Sequence, residues 1–199
     1  LQTVSLSLVT FDIGMIITHH HIMNVFVTEP CPYNSARVLP DKHIVKMPLE
    51  TCQMLSMVYS KWYFDWGHLT KKDGTPYKTE KGAFKGHPCT IWAAENIYNT
   101  AWLVAHGFGL AKEYYERYGK AHTCLEPLVE ARQIFEKKSG ENIAIYCKAK
   151  DFPRAMPEKW KYDDSIDTFT AYKRYIASKP WAADNYLRKP DRKPQWMKR

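Results

Sequence analysis

The sequence predicts a mainly α fold: a compact single-domain helical bundle with one or two short strands and an extended basic C-terminal tail. Three observations predict it. Residues 88–120 hold no proline after the first position and read as one uninterrupted helix; two further stretches, from Asp41 and from His122, space their apolar residues at helical intervals; and the C-terminal end is dense in cations and prolines. A length of 199 residues suits one domain with a single core. With 45% hydrophobic and 14% aromatic residues the chain can bury that core, which excludes global disorder.

In chain order, residues 1–22 are apolar in places but lack a basic start and are interrupted by Asp12 and His19, His20 and His21, so they form neither a signal peptide nor a membrane span. Regular patterning begins at Met23. Residues 1–22 are therefore read as a non-native or disordered leader, 23–180 as the helical domain and 181–199 as the tail. MNVFVTE, residues 23–29, alternates weakly and is β-rich, which predicts a short strand or an extended start. After a proline-bearing loop, Asp41 is placed to cap a helix through residue 64 whose apolar face holds Ile44, Met47, Leu55, Val58 and Trp62; Pro48 inside it predicts a kink. Residues 65–87 lack a helical period and read as a long loop, with a loose hairpin around Asp73-Gly74.

The central helix, 88–120, opens on Pro88, whose missing N–H costs nothing there, and closes on Gly119. At about 1.5 Å per residue it spans about 45 Å. Glu95, Asn99, Trp102, His106, Gly109, Glu113, Arg117 and Lys120 fall on one line, opposite Ala93, Ile97, Val104, Phe108, Ala111 and Tyr115. That polar line reads as a wet face; a tryptophan, a histidine and a glycine inside it also make it a candidate cleft wall, with Glu95 and Asn99 buried against the first helix. His122 to Lys138 forms a further helix closed by Ser139-Gly140. Residues 142–150 read as a short strand or a buried extended segment, 151–164 as a proline-punctuated loop, and 165–178 as a last helix capped by Ser165 or Asp167.

The net charge of +8 points to an anionic partner. From Lys173 onward nine basic residues face only Asp184 and Asp191, so this end carries +7 of it. In the loop, Lys71, Lys72, Lys78, Lys81 and Lys85 interleave with Tyr77 and Phe84, a pattern suited to phosphate contacts with aromatic stacking. Arg117, Lys120, Arg188, Lys189, Arg192 and Lys193 extend the cationic set. The densest chemical constellation is His43, Lys46, Glu50 and Gln53, which helical spacing puts on one side of the first long helix; a solvated ladder with an ordinary Lys46–Glu50 pair is the plainer reading. His87, Glu95, Asn99, His106, Glu113 and His122 are its supporting polar set.

Five cysteines, an odd number without a CxxC, fit a reducing compartment. His87-Pro88-Cys89 and His122-Thr123-Cys124 together offer a Cys₂His₂ set, but the long helix would hold them at opposite ends, so no metal is expected. No Gly-rich phosphate loop, GxSxG or HExxH motif is present, and no cofactor is expected.

MNVF, DKHIVKM followed by LETCQML, GHPCTIW, NTAWL, EYYERYGKAH, AMPEKWK and TAYKRYIASK resemble, in order, a family of small phage and cyanophage proteins over about 23–199. That family is distantly similar to the pyrimidine-dimer DNA glycosylases of the endonuclease V type. The resemblance implies a compact helical protein acting on DNA as a glycosylase and lyase: an amine attacks the sugar C1′, the base leaves, and elimination follows through a Schiff base. It maps the carboxylate to Glu50, with Lys46 and His43 beside it. The endonuclease V type uses the amine of its own first residue, whereas here residues 1–22 precede the matching start and Met23-Asn24 is a poor site for methionine removal; Lys46, if buried, is the replacement amine. Ala94 stands where the phage family carries an arginine. The resemblance further implies a monomer without a membrane partner, in the cytoplasm of a host cell. A nucleotide- or base-modifying enzyme using the same constellation, and a non-catalytic DNA-binding or host-takeover protein, are the alternative readings.

Overall fold

The structure, a computed structural model, describes residues 24–63, 65–77 and 84–198. The expected leader, Met23, Lys78 and Lys81 lie outside the described residues. The fold is mainly helical and compact, and its organising element is α4. In order come α1 (Pro32–Arg37), α2 (Asp41–Met57) with a wider π-helical turn from Val58 to Trp62, α3 (Pro88–Glu95), α4 (Ile97–Tyr118), α5 (Leu125–Ser139), a 3₁₀ segment (Ile143–Lys148), α6 (Glu158–Lys161) and α7 (Thr168–Ala177), then three single 3₁₀ turns. Helix α4 packs on α1, α2, α3, α5 and the 3₁₀ segment. Trp92, Trp102, Tyr59, Tyr172 and Phe135 are fully buried around it.

The single helix expected over 88–120 is two. Asn96 is extended (φ −160°, ψ 163°) and its side chain accepts the Asn99 N–H, so it starts α4 as a cap immediately after α3 ends. The outer ends match the expectation: Pro88 opens α3, and Gly119 closes α4 with φ 68°. Because α4 lies at the centre, both of its faces are covered. Asn99, Trp102, His106, Glu113 and Arg117 are buried, whereas Tyr115, assigned to the apolar face, is 60% exposed. The expected wet face is thus an inward one; the period of a helix locates the core only when one side meets water.

Helix α2 runs through Pro48 without a break. Asp41 is its first residue rather than its cap; the cap position is Pro40. No strand occurs among the described residues, which corrects both strand expectations. Residues 24–28 form no regular element and turn at Phe26, with N–H groups satisfied on side chains: Val25 and Phe26 donate to Asn24 Oδ1, and Thr28 donates to Ser35 Oγ. Residues 142–150 hold the 3₁₀ segment, started by Asn142 Oδ1 accepting from Ala144 N–H. The hairpin expected at Asp73-Gly74 is present, closed by the Lys71 and Tyr77 N–H groups donating to the Thr75 and Leu69 carbonyls.

Residues 181–198 are not an extended tail. Tyr186 and Met197 are buried, the Tyr186 hydroxyl donates to Val38 O, and the Asp41 N–H donates to Asn185 O. Arg192 bonds Glu113 and Glu116, and Lys189 bonds Glu116. Two of the cations counted as a free basic arm, Lys189 and Arg192, are thus paired with α4 carboxylates.

Candidate active site

Glu50 lies on the inward side of α2, 4% exposed. The Asn24 N–H donates to its Oε2 at 3.2 Å, and Lys46 Nζ sits 3.2 Å from its Oε1. A buried carboxylate keeps its charge only where donors replace the lost water, and these two nitrogens do so. One helical turn separates Lys46 from Glu50, so the α-helical geometry alone accounts for that contact.

Asn24 is not on α2, and three contacts fix it. Its Oδ1 accepts from Val25 and Phe26, its Nδ2 donates to Ala155 O, and the Ala155 loop is in turn held by Tyr172 of α7, whose hydroxyl donates to Pro153 O and accepts from Ala155 N. Phe26 has φ 51°, a left-handed conformation costing a bulky residue on the order of 1–2 kcal/mol. Its ring stacks on His43 at 4.1 Å and 16°, while Trp181 and the imidazole meet at 5.4 Å in a T-shaped arrangement.

His43 is therefore beside the carboxylate but enclosed. Burial first, then the charges of Lys179 and Lys46, lowers its pKa to about 3, so it is a neutral imidazole at neutral pH. Its Nδ1 has no hydrogen-bond partner. Lys46 is 45% exposed, so the burial expected to make it a neutral amine is not there. Cys89, at the start of α3, is fully buried; burial pushes its thiol up to about 12, and the Glu50 charge adds to that, which leaves it an un-ionised thiol.

The supporting polar set does not line a cleft. Glu95 is exposed at the end of α3, which corrects its expected burial against α2. Asn99 is buried but clamps loop backbone instead of facing α2, donating to Trp92 O and accepting from Lys150 N–H. His106 stacks on Trp102 and bonds Pro32 O. His87 and His122 each turn Nδ1 back to accept an N–H two residues on, from Cys89 and Cys124. These local caps explain why HxC occurs twice, and among the described residues no set of three His, Cys, Asp or Glu is gathered as for a metal. Glu113 and Arg117 belong to a buried ion network: Arg117 bonds Asp41, Glu113 and the Leu39 and Arg37 carbonyls.

Of the residues expected to meet phosphate, Lys71, Lys72, Lys85, Lys120 and Arg188 are exposed and Lys193 is half-buried. Lys71 lies over the Tyr77 ring at 5.9 Å, and Arg188 over Tyr118 at 5.0 Å. Arg117, with no side-chain exposure, and Arg192, 9% exposed, are instead structural. Two residues of the site escaped the reading of side-chain spacing: Asn24, which acts through its backbone nitrogen, and Lys179, which is far from α2 in sequence. Both sit inside stretches that carry the family resemblance, MNVF and TAYKRYIASK.

A family model described as pyrimidine dimer DNA glycosylase matches residues 23–126, which takes in Asn24, His43, Lys46 and Glu50. Neither the curated proteins nor the solved structures give a match.

Proposed function

The chain belongs to the pyrimidine dimer DNA glycosylase family, and from that premise we propose that it releases a damaged pyrimidine from duplex DNA and cleaves the strand at the resulting sugar, with Glu50 as the central carboxylate. One observation carries the assignment to Glu50: a buried carboxylate with a nitrogen on each oxygen, Asn24 N on one and Lys46 Nζ on the other, both at 3.2 Å.

In the reaction an unprotonated amine adds to C1′ as the glycosidic bond breaks, and the electron pair leaves with the base. Glu50 faces the positive charge that grows on the sugar and takes the proton the amine gives up. Opening of the C1′–O4′ bond, with a proton delivered to O4′, then gives the Schiff base, and removal of a C2′ proton expels the 3′ phosphate. The amine is one of the nitrogens that the described residues place on Glu50. While Asn24 is in peptide linkage its amide nitrogen is no nucleophile, so Lys46 supplies the amine, and, being exposed, it must first pass a proton to Glu50 or solvent; in a chain cut before Asn24, that residue's own nitrogen becomes a primary amine at the carboxylate. His43, neutral and stacked, shapes the wall and shuttles no proton at neutral pH. Among the described residues no helix is long and apolar enough to cross a membrane.

Glu50→Gln keeps the shape and removes the charge. Incubated with ultraviolet-irradiated duplex, it should lose base release and scission by about 10²–10⁴ while folding and duplex affinity stay near wild type. Wild-type turnover in this variant would end the assignment. Borohydride added during turnover traps the Schiff base; loss of the adduct in Lys46→Ala identifies Lys46 as the amine, and its persistence moves the assignment to Asn24.

A further inference from the structure

Lys179 follows α7 and is half-buried, with its ammonium over three rings: Tyr175 at 4.5 Å, Phe26 at 5.8 Å and Trp181 at 5.9 Å. Phe26 is the residue in the left-handed conformation two positions after Asn24, and its ring lies on His43 of α2. The Lys179 side chain therefore comes from the far end of the chain to the Phe26–His43 stack, where its charge acts on His43. Lys42 covers Trp181 at 4.6 Å, and Lys46 is on the neighbouring turn of α2. Glu50 is engaged by Lys46 and by the Asn24 N–H.

The Lys179 ammonium thus sits half-buried within electrostatic reach of a second one, Lys46. Such an arrangement is unfavourable in isolation, because each cation loses water and repels its neighbours. Burial, and then the charge of Lys46, lowers the pKa of Lys179. An anion between the amines reverses both penalties. The rings also hold the lysine stem in one direction, so little side-chain entropy remains to be lost when that anion arrives.

We propose that Lys179 seats the backbone phosphate next to the sugar on which Glu50 acts. This rests on the glycosylase reading and adds to it the contact that sets the register of the strand. A lysine is suited to the task as a point charge on a flexible stem that the aromatic cage has made stiff.

The test is a coupling measurement on the full chain. Duplexes carry a tetrahydrofuran abasic analogue, and each flanking phosphate is replaced in turn by an uncharged methylphosphonate. For the wild type, one replacement beside the analogue should weaken binding on the order of 10-fold. For Lys179→Met that same replacement should cost nothing further, the starting affinity should already be lower by the same factor, and the salt slope should fall by about 1. Lys179→Arg should restore the charge effect, which separates lost charge from lost folding, and thermal melts of all three proteins report the fold directly. If Lys179→Met does not fold, Lys179→Arg against wild type carries the comparison: unchanged sensitivity to the same methylphosphonate supports the seat, and a shifted position overturns it. Equal sensitivity of wild type and Lys179→Met to every replacement also overturns it. So does a borohydride adduct on residue 179, which would make Lys179 the amine. Failure of the glycosylase reading looks different: the wild type would neither cut irradiated duplex nor distinguish the analogue from intact DNA.

Discussion

His43 and His106 are held neutral by the same cause, burial, which lowers their pKa values to about 3 and about 4 from an ordinary 6.5. As pH falls below 6.5 the unfolded chain takes up protons that the folded chain refuses, so each histidine contributes stability that is present above 6.5 and lost progressively towards its folded pKa. The slope reaches about 1.4 kcal/mol per pH unit for each one. Chemical denaturation between pH 7 and pH 5, above the range where carboxylates protonate, should show this loss, and His106→Gln should remove its own share of the slope. Stability that does not change over that range would mean the imidazoles reach solvent. The residue scale was also where the sequence was most legible for chemistry: the i,i+4 spacing of Lys46 and Glu50 placed their contact correctly. It said nothing of Asn24 or Lys179, because a backbone nitrogen and a cation more than a hundred residues away have no periodicity relative to α2. His43 was placed on the right wall but given the wrong surroundings, since the stack on Phe26 depends on a backbone conformation that propensity disfavours.

Helix ends were readable wherever the signal was a local one. Pro88, Gly119, Gly140 and the Asp167 cap of α7 all act within a turn of themselves, and each stands where its chemistry predicts. The strands were not readable in the same way, because a β-rich stretch becomes a strand only if a neighbour pairs with it, and residues 24–28 and 142–150 found side-chain and 3₁₀ partners instead. The close passage of α4 between its neighbours depends on a residue that carries no side chain. A Cβ on Gly107 would lie 2.5 Å from Leu128 Cδ2 and 3.0 Å from Thr51 Cγ2, so α2 and α5 both close on that point. Gly107→Ala should therefore destabilise the protein by about 1–3 kcal/mol, the usual cost of forcing a methyl into a filled core, despite alanine's better helix propensity. Urea denaturation measures it; an unchanged or raised midpoint would show that Leu128 has room to turn away.

Across the whole molecule, the buried network of Asp41, Glu113, Arg117 and Arg192 ties the start of α2, the end of α4 and the C-terminal segment together. Composition revealed the cations of that segment but not their partners, which lie on an element made much earlier, so a clasp looked like a free arm. Arg117→Ala leaves two buried carboxylates without this guanidinium and should cost about 3–5 kcal/mol, read as a fall in the urea midpoint. A loss under 1 kcal/mol would show that water enters the network and that the clasp is slack. Deleting residues 188–199 should likewise lower stability, where a mere surface arm would leave it unchanged. The clasp also orders events in time. A ribosome adding about 5–20 residues per second completes α4 several seconds before Arg192 is joined to the chain. During that interval the carboxylates of Glu113 and Glu116 lack a cation they later bind, and the nascent domain stays open at that edge until Met197 has been added and emerged.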